Sequence, residues 1–344
     1  MQSPTPYLDR LECRASFGDY LIARLRGRTT DDTHPIAAQQ IADGVGLGQA
    51  VSRAYGAPDT GSELYRWLVQ GSDFPSTLAH AITLAISGDS SAASREHRQL
   101  ARQIETRDLK PHSIGRVEVG DIEAAPLSNM IGTVPQVDTS QFVSGAASIY
   151  SANLLVGRPM LVGDQLSIIR DAVQQVVDQL LKVEPRSIAT LLETSIPTMP
   201  DGAAWIAAGN TTSSTGLDAT SLDEAADLLR TSVNNAGSLL NAAPRYLVVP
   251  AGKEIAAHVL TAALGTPSPV IALCNPWLGG SYSYLFSDPA SEPALLRLVL
   301  SGSSGEPQVM QRRTPIEYDG LGLVIEHTVG YAAVSRAVAR IPMS

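Results

Sequence analysis

Cysteine, lysine and aromatic side chains are all scarce in this 344-residue chain, and each scarcity excludes something. Cys13 and Cys274 are too few and too far apart for a disulfide framework or a zinc site. That points to a reducing compartment and to two small buried hydrophobes. Lysine occurs at positions 110, 182 and 253, so arginine supplies nearly all the positive charge. Arginine suits bidentate and buried pairing better than lysine does. Aromatics make up 5% of the chain, and Ala, Ser, Gly and Thr take their place. A core of small side chains gains less from burial, a deficit that subunit contacts would make up. No stretch approaches 18 consecutive apolar residues, so no membrane partner is expected. Met1-Gln-Ser-Pro-Thr-Pro6 lacks a signal-peptide pattern. A basic excess is missing too: the net charge is −9, with most of the acidity after Gly115. This argues against a dedicated nucleic-acid-binding surface.

What is present is a globular composition, 44% hydrophobic and 17% charged. The most strongly patterned stretch runs from Val162 to Leu192. Leu166, Ile169, Val173, Val176, Leu180, Ile188 and Leu191 recur at helical spacing, with Arg170, Asp171, Gln174, Gln175, Asp178 and Lys182 between them. Asp164 reads as the N-cap. Pro185 has no N–H to give residue 181 and crowds that carbonyl, so the pattern predicts a long helix kinked there, or two helices in succession. Such a helix implies an elongated protein with a spine.

Residues 7–28 read as a helix ending in Arg24, Arg26 and Arg28, a solvated terminus or a contact for an anionic partner. Residues 35–42 read as a short helix beginning with Pro, after which Gly44, Gly46 and Gly48 loosen the chain. Ser72-Asp-Phe-Pro75 opens a further helix, and residues 94–107 read as a mostly polar one. The first 110 residues thus look like short helices with little core of their own, as an extended arm would. Residues 115–160 alternate and then turn small and β-branched, the pattern of a long two-stranded ribbon. A ribbon of that kind is marginal in water and needs a surface to lie on. Ser221 with Glu224 forms a capping-box pattern. Strands are expected at 246–249, 270–273, 282–286, 295–300, 309–312, 321–325 and 329–334, with a helix over 252–264. Helices and strands mix without strict alternation, which is α+β order.

No catalytic constellation emerges: the expected catalytic, cofactor-binding and metal-binding residues are none. Gly44-Val-Gly-Leu-Gly48 follows no apolar strand and misplaces its third glycine for a dinucleotide loop. Pro250-Ala-Gly-Lys253 lies between strand and helix like a phosphate loop. It lacks the first glycine, and Glu254 stands where Ser or Thr would hold Mg²⁺. His34, His80, His97, His112, His258 and His327 show no ligand spacing. Gly302-Ser-Ser-Gly305 lacks nucleophile-elbow spacing. Glu118, Asp121 and Glu123 have no companion and read as a solvated face.

Several stretches in order resemble a known family. They are Pro244-Arg-Tyr-Leu-Val-Val-Pro250 with Glu254-Ile-Ala-Ala257, Tyr282-Ser-Tyr-Leu-Phe-Ser-Asp-Pro289, and Tyr318-Asp-Gly-Leu-Gly-Leu-Val-Ile-Glu-His327. Upstream, Ser72-Asp-Phe-Pro75, Pro200-Asp-Gly202 and Ala208-Gly-Asn210 fit the same order. Over residues 70–344 the chain resembles tailed-phage major capsid proteins of the Hong Kong 97 type, in the subgroup often fused to or encoded beside a head-maturation protease. The resemblance implies an N-terminal helical arm (1–114), an extended two-stranded loop (115–161) and a spine helix of a peripheral domain (162–200). It further implies an axial domain (201–310) and closing strands returning to the sheet (311–344). It implies a structural protein, not an enzyme, that assembles as hexamers and pentamers into an icosahedral shell around phage DNA. Implied partners are further copies of itself, a portal, decoration or scaffold proteins, and double-stranded DNA held through non-specific contacts. The implied location is the virion capsid, assembled in the host cytoplasm. Family members that crosslink do so from a lysine in the extended loop. Residues 115–160 contain none, so no covalent crosslink is expected. The alternatives are an encapsulin-like nanocompartment shell with enzyme cargo and an α+β phosphate-binding enzyme using Gly252-Lys253.

Overall fold

The computed structural model describes residues 8–56, 64, 68, 74–89, 95–115, 118–119, 137–138, 142–233, 238–263, 270–312 and 320–343. Its helices are α1 (Leu8–Arg26), α2 (Pro35–Ala42), α3 (Leu47–Tyr55), α4 (Phe74–Asp89), α5 (Arg158–Val162), α6 (Leu166–Leu181), α7 (Val183–Ala189), α8 (Ala219–Thr231) and α9 (Glu254–Ala263). Its strands are β1 (Ala101–Thr106), β2 (His112–Gly115), β3 (Glu118–Val119), β4 (Val137–Asp138), β5 (Phe142–Gly145), β6 (Ser148–Gly157) and β7 (Pro244–Val249). The rest are β8 (Ile271–Cys274), β9 (Tyr282–Ser287), β10 (Leu295–Leu300), β11 (Gln308–Arg312), β12 (Gly320–Ala333) and β13 (Val338–Pro342). The expected α+β mixture is what is found. The chain forms two compact units: residues 1–91, 149–181 and 306–327 make the first, and 92–148, 182–305 and 328–344 the second.

In the first unit, α1 buries Phe17, Tyr20, Leu21 and Leu25. They pack in one cluster with Leu47 and Val51 of α3, Phe74, Leu78 and Ile82 of α4, and Leu166, Ile169, Val173 and Val177 of α6. Phe17 meets the edge of the Tyr55 ring at 5.4 Å between centroids. The Tyr20 hydroxyl donates to the Val45 carbonyl at 2.8 Å, and burial pushes its pKa up to about 12. Each fully buried large side chain contributes roughly 1.5–3 kcal/mol. The N-terminal helices therefore have a core, against the expectation of little core before residue 110. Short amphipathic helices that are weak singly bury their stripes against one another and against α6. The glycine-rich stretch does not loosen the chain: Gly44 turns it at φ +67°, and Gly46 starts α3. In α3, Leu47, Ala50, Val51 and Ala54 fall at i, i+3, i+4 and i+7 and are all buried.

Asp164 does not cap α6. It sits at φ +51°, and its carboxylate accepts from Arg24 Nη2 at 2.5 Å. The helix starts two residues later, where the Gln165 carbonyl accepts from the Ile168 and Ile169 amides. Of the arginines closing α1, Arg24 is thus paired within the chain, and Arg26 donates to the Leu84 carbonyl at 2.8 Å.

The spine is two helices. Helix α6 stops at Leu181, Lys182 flattens to ψ −14°, and α7 begins at Val183, with Pro185 in its first turn. The break thus precedes Pro185 by three residues, because the ring crowds the carbonyl one turn before it and a first turn tolerates a missing N–H. The boundary between the two units falls at the same place, between Leu181 and Lys182. A π-helical turn, Thr190–Thr194, follows α7.

In the second unit a four-stranded sheet runs in the order β13-β9-β7-β8 and carries the apolar runs of β7 and β9. A second sheet contains β10 between β1, which is parallel to it, and the last residues of β12, which are antiparallel. Residues 94–107 are not a helix: a 3-10 turn covers Glu96–Leu100 and β1 follows. Ala101-Arg-Gln-Ile-Glu-Thr106 has fair helix propensity, but pairing along all of β10 outweighs it. The expected strands at 321–325 and 329–334 are one strand, β12, and a further strand, β13, lies beyond them. Gly330 has no room for a side chain: a Cβ there would overlap the Ala146 carbonyl.

The two-stranded ribbon exists but is shorter than expected. Strand β2 pairs with β5 and β3 with β4, whereas β6 leaves the ribbon to pair with β12. At its base, Ile114 and Val143 pack with Leu296, Leu298 and Ala332. Asp121 and Glu123 lie outside the described residues, as does Val117. The cap of α8 is also revised. Asp218 is the N-cap and Ser221 its reciprocal partner at N3. Glu224 instead accepts from the Ser213 and Ser214 amides at 2.6 and 3.0 Å, which holds its carboxyl down at about 2.

Candidate functional site

The best-organised polar site lies inside the second unit and is centred on Glu184, the residue before Pro185. Its side chain is fully buried. Arg98 grips it from the 3-10 turn, with Nε at 3.0 and 3.2 Å from the two carboxylate oxygens and Nη2 at 2.7 Å from Oε1. Arg297 of β10 donates from Nε to Oε2 at 3.0 Å and from Nη2 to Oε1 at 3.2 Å. The Tyr331 hydroxyl of β12 donates to Oε2 at 2.6 Å. Arg297 also donates to Gln103 Oε1 at 2.7 Å and to the Gly305 carbonyl at 2.6 Å, a carbonyl that Arg98 reaches at 3.4 Å. Burial and the neighbouring carboxylate push the Tyr331 hydroxyl well above the ordinary tyrosine range, so it keeps its proton and donates. Planar arginine forks suit such multidentate pairing. One signal for this cluster stands in the sequence: Arg297 interrupts the apolar run Leu295-Leu-Arg-Leu-Val-Leu300, and a charge there must find a buried partner. Sequence reasoning passed over it and over Glu184.

Elsewhere in the second unit, polar side chains act as ties. Asn275 Nδ2 donates to the Pro185 carbonyl at 2.9 Å, and Glu193 Oε2 accepts from the Gly279 amide at 2.8 Å. In Pro200-Asp-Gly202, the Asp201 carboxylate receives both Arg336 Nη atoms, at 2.5 and 2.8 Å. In Ala208-Gly-Asn210, Asn210 is buried and spans the Ala207 amide and the Trp205 and Val338 carbonyls. Trp205, fully buried, donates to the Ser335 carbonyl. In the Tyr282 stretch, the Arg340 guanidinium lies 4.5 Å from the Tyr282 ring centroid. Most of these contacts fix backbone, and two, Asp201 with Arg336 and Arg340 with Tyr282, join side chains.

The remaining candidates are scattered. The Gly252-Lys253 segment is a 3-10 turn entering α9. His34 caps α2 through Nδ1, and His112 pairs with Asp108 at 2.8 Å. His80 and His258 are exposed, and His97 and His327 are buried. Among the described residues no group of three His, Cys, Asp or Glu side chains could hold a metal ion. Nor, among them, is any helix long and apolar enough to cross a membrane. Cys274 is partly buried, and burial pushes its thiol up to about 11. The Cys13 side chain lies outside the described residues. An open groove of about 470 Å³ lies between α4 and β11, where Thr83 accepts from the Val309 amide. On the surface of the second unit, α9 turns Ile255 and Val259 outward, 81% and 64% exposed, while Ala257 faces in.

No curated protein matches the chain. A chain from Mycobacterium phage Bobi is similar in structure, with TM-score 0.50, 11% identity, and coverage of 74% of this chain and 92% of that one. The capsid of an empty GTA particle gives TM-score 0.47, 12% identity and coverage of 74% and 91%. The holo-SrpI encapsulin complex from Synechococcus elongatus PCC 7942 gives 0.45, 12%, and 72% and 86%. The model of a family described as phage capsid protein matches residues 146–341, which include all of β6, helices α6 and α7, Glu184 with its partners Arg297 and Tyr331, and most of β13. With more than half of its length matched, the chain belongs to the phage capsid protein family and is a structural, shell-forming protein rather than an enzyme.

Proposed function

We propose that this chain is the major head protein of a tailed phage, assembling as hexamers and pentamers into an icosahedral shell that encloses phage DNA. The observation that carries this reading is the family match over residues 146–341. In the shell a neighbouring subunit would cover the exposed Ile255 and Val259 of α9. Many contacts of modest strength then act together through multivalency. Within the shell we assign the ribbon at 112–145 to the extended loop, α6 and α7 to the spine of the peripheral domain, and the sheet of β13-β9-β7-β8 to the axial domain. The N-terminal helices stand in the arm position, and the strands after residue 310 close the chain. Further copies of the chain, a portal, decoration or scaffold proteins and loosely held double-stranded DNA are the proposed partners, with assembly in the host cytoplasm. The test is to purify particles formed by the full chain, image them by negative stain and analyse their contents. Closed shells with nucleic acid inside are expected. Shells filled with a protein cargo would transfer the chain to the nanocompartment reading, and a monomer at every concentration would overturn both.

A further inference from the structure

The chain passes between its two units at five points: 91/92, 148/149, 181/182, 305/306 and 327/328. Three of these passages lie within four residues of the Glu184 cluster. Glu184 is the third residue of the segment that begins at Lys182. Gly305, whose carbonyl takes both guanidinium groups, is the last residue before Glu306. Tyr331 is the fourth residue after the passage at 327/328. Segments up to 147 residues apart in sequence thus converge on one buried carboxylate as they leave the second unit.

We infer that the Glu184 cluster is a hinge anchor, a rigid knot that fastens the second-unit ends of three passages so that bending is confined to the residues just beyond it. The geometry supports this in two ways. The bonds are directional: six contacts of 2.6–3.2 Å fix Glu184 against Arg98, Arg297 and Tyr331, so the three segments cannot slide independently. The two helices of the spine also meet beside the knot and not inside it: Lys182, at ψ −14°, separates them, while the Pro185 carbonyl is tied to Asn275. Pro185 therefore belongs to the held side, and Lys182 is the bending residue.

Amide hydrogen exchange on the full chain, with and without Glu184→Gln, tests the inference. The amide keeps the shape but loses the charge that both arginines need. The knot predicts that exchange at 183–189, at 305–306 and at 328–331 rises together by roughly tenfold or more, since Glu184 and Tyr331 lose their charged bond directly and Gly305 loses the arginines that Glu184 holds in place. Exchange in β7 and β9 of the same unit should change by less than about twofold. If 183–189 alone loosens, or if the whole second unit loosens equally, Glu184 is an ordinary buried ion pair and the inference falls. Should Glu184→Gln fail to fold, Tyr331→Phe decides. It deletes one hydroxyl, and the knot requires a smaller but still joint rise at the same three places, whereas a rise confined to 328–331 overturns it.

Discussion

The two halves of the spine are held by different means. Helix α6 is held by an apolar stripe, Leu166, Ile169, Val173, Val177 and Leu181, against helices that are themselves apolar on that side. Helix α7 buries Ile188 and Ala189 too, but adds the buried Glu184 with two guanidinium groups and a phenol. Apolar packing is non-directional and tolerates volume-conserving changes. A buried ion cluster specifies positions and tolerates almost none, because a lost partner leaves a charge without water. One continuous-looking sequence pattern therefore joins a half that can adjust to a half that cannot, and the break at Lys182 falls where the two regimes meet.

The sharpest way to break this comparison is Glu184→Ala. It strands Arg98 and Arg297, and a loss of about 3–5 kcal/mol is expected in denaturant unfolding. A loss below about 1 kcal/mol would mean that the cluster is not a unit. Next is α6: Ile169→Ala should cost about 2–5 kcal/mol through a cavity. Ile169→Leu in the same assay should cost less than about 1.5 kcal/mol. If the two cost the same, the stripe is not the tolerant half. A pH series separates the halves further. His97, beside Arg98 in the 3-10 turn, has its pKa lowered by burial from 6.5. The unfolded chain then binds more protons than the folded one between 6.5 and that lower value. Stability should be full above pH 6.5 and fall as the pH drops below it, with His97→Gln flattening the fall. Denaturant unfolding followed by circular dichroism at each pH would show whether it does. The smallest effect belongs to Asp164→Asn, whose pair with Arg24 is about a third exposed and should contribute less than about 1 kcal/mol. A larger loss would make the loop between α5 and α6 a second rigid point.

Much of the fold was readable from periodicity. Helices α1, α2 and α4 and strands β7, β9, β10 and β11 fall close to where spacing and flanking Pro and Gly place them. The errors have particular causes. The turn and strand at 96–106 look helical because Arg, Gln and Glu favour helices, and only β10 makes β1 a strand. Helix α3 was hidden by its glycines, although Leu47, Ala50, Val51 and Ala54 carry the spacing. Ser221 reads as the cap because the reciprocal bond with Asp218 looks the same from either end. The family landmarks were legible as motifs, but not as ties: nothing in Pro200-Asp-Gly202 names Arg336 as the partner of Asp201.

The sequence alone carried the α+β class and the resemblance to phage capsid proteins, because these depend on local period and motif order. The tertiary structure decided that the N-terminal helices share a core, that the spine breaks at Lys182, and that Glu184 meets Arg98, Arg297 and Tyr331. Burial and pairing across a hundred residues or more are set by which surfaces meet, and no local pattern encodes that.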